Sequence, residues 1–136
     1  MSKEDRTMLC FDWEEIEDRE VTAILGHSNQ ALNDGTASWE AIALVIDGQA
    51  VMIDVDTNTD ELVVSLGQPP MGEDWRPVTA LSENVGKRLG WCWIGRNYRG
   101  YLDSFTVAFN GIDPTCMFVG IGSSIWIKKV STAYSA

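Results

Sequence analysis

Positive charge is scarce in this chain. Ten lysines and arginines stand against twenty aspartates and glutamates, a net charge of −10. Phosphate recognition needs clustered cations, so this balance argues against nucleic acid as a partner and against an anionic membrane surface. Histidine is scarcer still. His27 is the only one, so any Ser–His or Cys–His dyad would have to use it. No G-x-S-x-G elbow accompanies any serine, and a lone histidine in a polar loop reads as surface. The cysteines, Cys10, Cys92 and Cys116, are odd in number and far apart, with no C-x-x-C pair. That spacing fits neither a disulfide framework nor a zinc site, and it predicts reduced thiols in the cytoplasm. Cys92, between Trp91 and Trp93, reads as a buried thiol. Long apolar runs are missing too. The longest, Ala41 to Ile46, is far too short to cross a bilayer, and charges at Lys3 to Arg6 stand where a signal peptide would begin. Gly120-Ile121-Gly122-Ser123-Ser124 lacks the lysine and following helix of a phosphate loop, and no cofactor is expected.

What is present suits one domain. The 136 residues are 45% hydrophobic and 22% charged, an ordinary globular balance. The charge is lopsided. Residues 1–61 hold 15 acidic and 3 basic side chains, a balance of −12, while residues 62–136 hold 5 and 7, a balance of +2. An acidic half keeps a protein soluble, and it also steers association toward a basic protein partner.

Residues 1–10 read as weakly ordered and 11–136 as a single α+β domain. Asp12-Trp13-Glu14-Glu15 resembles a capped helix start, with Glu15 and Arg19 spaced i,i+4. Alternation then predicts strands over 21–25, 38–46, 49–56, 61–66, 87–95, 101–109, 116–121 and 124–130. Asp47-Gly48 is a tight-turn dipeptide, Gly67 to Pro77 a proline-rich loop, and Thr79 to Asn84 one helical turn. Gly122-Ser123-Ser124 reads as a turn or a bulge. A weak internal similarity links Ala43–Ile53 with Val107–Val119, both strand, Asx-Gly turn, strand. Short turns between consecutive strands favour an antiparallel meander. The expected fold is mainly β: a curved meander sheet, half-barrel or two-layer roll, with one short N-terminal helix.

Two clusters carry candidate chemistry. Asp54, Asp56, Asn58 and Asp60 follow the D-x-D-x-N-x-D opening of a calcium loop. Thr59 then stands where that loop needs glycine and Ser65 where it needs glutamate, so an Asx-rich hairpin turn explains the run as well. The second cluster is Trp91, Trp93, Asn97, Arg99, Tyr101 and Asp103. Strict alternation puts Tyr101, Asp103, Phe105, Val107 and Phe109 on one face, a carboxylate within an aromatic stripe. Asp103 then either ties down the Asn97–Gly100 turn or, with Arg99, anchors a ligand between aromatic walls.

The C-terminal pattern Trp91-x-Trp93, Asn97-x-x-Gly100-Tyr101-x-Asp103, Phe105–Phe109 and Ser123-Ser124-Ile125, with the Asp12–Leu25 and Asp54–Leu66 stretches, resembles a family of small bacterial proteins of unknown function. The resemblance covers most of the chain. It implies a bacterial source and one α+β domain, and it carries no catalytic residues. The expectation that follows is a non-enzymatic protein-binding module, immunity- or antitoxin-like in one version. A small-molecule or weakly catalytic pocket around Asp103 is the alternative. An open sheet edge would also permit a homodimer.

Overall fold

The computed structural model describes residues 9–28 and 38–130. Ten strands lie among them: β1 (Val21–His27), β2 (Ser38–Trp39), β3 (Ala41–Ile46), β4 (Gln49–Val55), β5 (Leu62–Gly67), β6 (Trp75–Pro77), β7 (Leu89–Arg96), β8 (Leu102–Phe109), β9 (Pro114–Ile121) and β10 (Ser124–Lys129). They form two antiparallel sheets of five, in the orders β5-β4-β3-β1-β6 and β2-β10-β9-β8-β7.

Of the half-barrel and the two-layer roll that alternation left open, the half-barrel does not form: the strands divide into two sheets, and one strand is the reason. Ser38 to Ile46 reads as one strand, yet the chain bends at Glu40. Before the bend, Trp39 pairs with Ile125 of β10; after it, β3 pairs with β1 and β4. One run thus serves both sheets. Gly26 allows the bend to pack, because a Cβ there would overlap the Trp39 indole.

The expected N-terminal helix is one 3-10 turn, Trp13–Glu15. Its cap forms as the sequence implies, with the Glu14 N–H donating to the Asp12 carboxylate at 3.1 Å. The turn then stops. Asp18 adopts a left-handed φ of 79°, and its N–H donates to the Leu89 carbonyl at 2.8 Å. Arg19 reaches Gln49 at 3.2 Å. Of the segment expected to be weakly ordered, residues 1–8 lie outside the described residues, whereas Leu9 bridges Val64 on β5. Leu9 to Glu20 is therefore a strap running from the edge of the first sheet to the start of β7.

Both sheets face one core. Ile42, Leu44, Ile53 and Val64 from the first meet Phe105, Val107, Phe118 and Ile125 from the second. Each such side chain contributes about 1.5–3 kcal/mol by leaving water. Trp13 of the strap packs edge-on against Phe105 at 5.8 Å, and its Nε1 donates to the Gly90 carbonyl at 2.8 Å. A second 3-10 stretch, Thr79–Asn84, buries Leu81. The two hairpins with the weak internal similarity are β3–β4 and β8–β9, the middle pairs of the two sheets.

Candidate functional site

The acidic run does structural work. Asp56 accepts a hydrogen bond from the Asn58 N–H at 2.9 Å, an Asx turn. Asp60 takes a left-handed φ of 64°, which asparagine and aspartate tolerate best. Its carboxylate reaches the far sheet and accepts from the N–H groups of Gly122 and Ser123 at 3.1 and 2.7 Å. Both its oxygens are engaged there. Asp54 lies upstream on β4, opposite Ala41 and Val63. Among the described residues, no group of three His, Cys, Asp or Glu side chains comes together to hold a metal ion. Gly122 and Ser123 have φ of 62° and 64°, so the step between β9 and β10 is a full two-residue reversal.

The aromatic cluster divides. Trp91 and Trp93 stand together, ring centroids 6.2 Å apart, on the outer face of the second sheet. Asn97 ties the turn by itself, its Oδ1 accepting from the N–H groups of Arg99 and Tyr101 at 2.8 and 3.2 Å. Arg99 turns to the exposed tip, where its Nε donates to the Tyr98 hydroxyl at 3.3 Å. Asp103 does not follow the stripe. The register slips where Arg96 pairs with Leu102 and Gly95 with Ser104, leaving Asp103 as the extra residue of a bulge. Leu102 and Phe105 are both fully buried, while Asp103 and Ser104 between them are half-exposed.

A third cluster surrounds the lone histidine, which its polar loop marks as surface. His27 is the last residue of β1, between Ala41 and Trp75 in neighbouring strands. Its Nδ1 is 3.1 Å from Glu40 and its Nε2 4.0 Å from Asp74, and its ring lies 5.1 Å from that of Trp75. Residues paired directly across a sheet share a face. Trp75, His27, Ala41, Asp54 and Val63 thus form one row on the outer face of the first sheet. Pro77, Leu25, Ala43, Met52 and Ser65 form the next. None of these ten joins the core between the sheets. The face is apolar in the middle, floored by alanines, and carries Glu40, Asp54 and Asp74 at one end. One signal could have found it: β3 is apolar at every position, and alternation is lost where a strand is apolar on both faces.

Partial burial pushes the Asp54 carboxyl above its ordinary 3.8, against the opposing pull of His27. A raised pKa in the folded state means the fold holds that proton more tightly. The associated stability is complete below pH 3.8 and is lost as pH rises through the folded value. Asp54→Asn is therefore expected to raise the melting temperature at pH 7, with the gain shrinking toward pH 4. Thermal scans of both proteins across that range check it.

The model of a family of unknown function, DUF6334, matches residues 1–134. The chain belongs to that family. Searches of curated proteins and of solved structures find no match. No described helix of this DUF6334 chain is long and apolar enough to cross a membrane.

The thiols of the DUF6334 chain differ sharply. Burial, then the charge of Glu17, pushes Cys92 up to about 12. Burial also pushes Cys116 up to about 12, with Lys129 opposing. Cys10 is exposed. A thiol reagent at pH 8 is expected to label Cys10 at once and the other two only after denaturation, because the thiolate is the reactive form. Mass spectrometry of the labelled chain reads the outcome.

Proposed function

We propose that this chain is a non-enzymatic, cytoplasmic bacterial protein that binds a basic protein partner through the outer face of its first sheet. One observation carries the reading. That face sets the half-buried Leu25, Met52 and Trp75 and the exposed Val63 around the buried Ala41 and Ala43, with Glu40, Asp54 and Asp74 at its His27 end. An apolar centre with a charged rim is the anatomy of a protein interface. The −12 of residues 1–61 favours cationic partners and speeds their approach. Inhibition of a basic toxin, in the manner of an immunity protein or antitoxin, is one role of this kind.

The test is co-expression with the products of adjacent genes, one at a time, with complexes sized by light scattering. The expected result is a defined complex with a basic partner that weakens as salt rises. Met52→Lys places a cation in the middle of the face and is expected to abolish that complex, while Trp126→Lys on the other sheet leaves it intact. A complex indifferent to Met52→Lys would overturn the assignment of the face.

A further inference from the structure

Among the described residues β7 is the end strand of the second sheet, and the side it turns away from β8 has a definite pattern. The Trp91 N–H donates toward β8, to the Gly111 carbonyl at 3.1 Å, and the Asn97 N–H does the same to Tyr101 at 3.0 Å. Main-chain groups alternate sides along a strand, so those of Cys92 and Ile94 point to the free side. The open stretch is bounded at both ends. The Trp13 Nε1 caps the Gly90 carbonyl at 2.8 Å, and a bulge interrupts the ladder between Gly95 and Arg96. What remains runs from Trp91 to Gly95, with Trp93 at its centre.

Its surroundings indicate what fits. Trp91 is 52% exposed and Ile94 38% exposed, on opposite faces of the strand, so an added strand would cover apolar surface on both sides. No proline or lysine blunts the stretch, the usual protections of an edge. It belongs to the half with a charge balance of +2, away from most of the acidic surface. Among candidate occupants, a second copy of this chain fits the symmetry of the window. An open stretch centred on one residue is self-complementary when two copies run antiparallel about a two-fold axis.

We propose that the chain self-associates through β7, antiparallel, with the two-fold axis at Trp93. Cys92 and Ile94 exchange main-chain hydrogen bonds with the second copy's Ile94 and Cys92. Trp93 meets its own counterpart, and Trp91 lies over the second copy's Gly95 and the Ser104 hydroxyl that fills the place of its side chain. Arg96 falls opposite the second copy's Gly90, near Glu17, whose charge is felt at Cys92. Opposite charges therefore meet at each end of the contact. The two five-stranded sheets become one of ten.

The pairing is short, which puts the dimer at the weak, transient end of the interface range. Light scattering of the full chain between about 10 μM and 1 mM should show the mass rise from 15.1 kDa toward twice that value. Trp93→Lys sets like charges face to face and is expected to weaken the dimer at least tenfold. Ile94→Lys, at an exposed position, should do the same without disturbing the fold. Register is read by cross-linking in a Cys10→Ser, Cys92→Ser background. There Trp93→Cys should form an intermolecular disulfide under mild oxidation, since facing residues lie within disulfide reach. Trp91→Cys, facing Gly95, should not. A chain that stays at 15.1 kDa throughout overturns the proposal. So does a dimer that survives both lysine variants or fails to link through Trp93→Cys. None of these readouts needs the partner of the first sheet's outer face.

Discussion

Gly90→Ala is expected to cost about 3–5 kcal/mol, the range reserved for changes the backbone cannot absorb. Gly90 sits in the bulge at the start of β7, where a Cβ would overlap the carbonyl oxygen of Gly111. That atom cannot swing aside as the end of a side chain could. Gly111 and Asn110 already have positive φ, 127° and 67°, and the Gly111 carbonyl accepts from Trp91. The Gly90 carbonyl in turn holds Trp13 in place against Phe105. One methyl group therefore loosens a turn, a strand end and the strap together. Urea unfolding should show a lower midpoint with a small change in slope. Gly48→Ala, at a positive φ of 74° with open space around it, is the control and should cost only about 1 kcal/mol.

The second large effect is at Asp60. Asp60→Ala removes two hydrogen bonds from main-chain N–H groups to a carboxylate and places alanine at a left-handed φ. Bonds to a charged acceptor are the stronger kind, and the site is partly exposed, so the loss should be about 2–3 kcal/mol. Gly120 shows how tight this junction is, since a Cβ there would overlap the Asp60 carbonyl oxygen. Asp60→Asn keeps one acceptor and tolerates the same φ, so it should recover about half of the loss. Melting curves of the two variants provide the comparison.

Most of the strands were legible because half-buried strands advertise themselves by alternation. The Asp47-Gly48 hairpin followed, with Ile46 paired to Gln49 as the dipeptide requires. Alternation fails where geometry intervenes. At Asp103 an extra residue resets the phase, and a carboxylate assigned to the aromatic stripe falls in the bulge. At Glu40 a single charged residue, which a solvent-facing strand position would equally accept, is the only mark of the bend. β6 was hidden in a proline-rich loop; it survives as a short edge strand ending at Pro77. The N-terminal helix had a sound cap and no length, because Asp18 turns away to bond Leu89. The acidic turn showed its composition in the sequence but not its target across the molecule. The His27 cluster was invisible for another reason. Its members come from the end of β1, the bend and the approach to β6, which only the sheet brings together.

The strand that turns at Glu40 has a consequence for how the molecule comes apart. Each sheet owns one end of it, so neither can melt while the other keeps its full ladder. Cutting the chain in the loop between β5 and β6 would leave the first fragment with Trp39 unpaired and the second without an edge for β10. Partial unfolding is thus suppressed, and heat should produce one cooperative transition instead of two. The cost is kinetic. The β2–β10 contact joins residues 38–39 to residues 125–126, the longest separation of any strand pairing among the described residues, and such contacts form late. A newly made chain can complete its first sheet with β6, while β2 stays unpaired until β10 has been made.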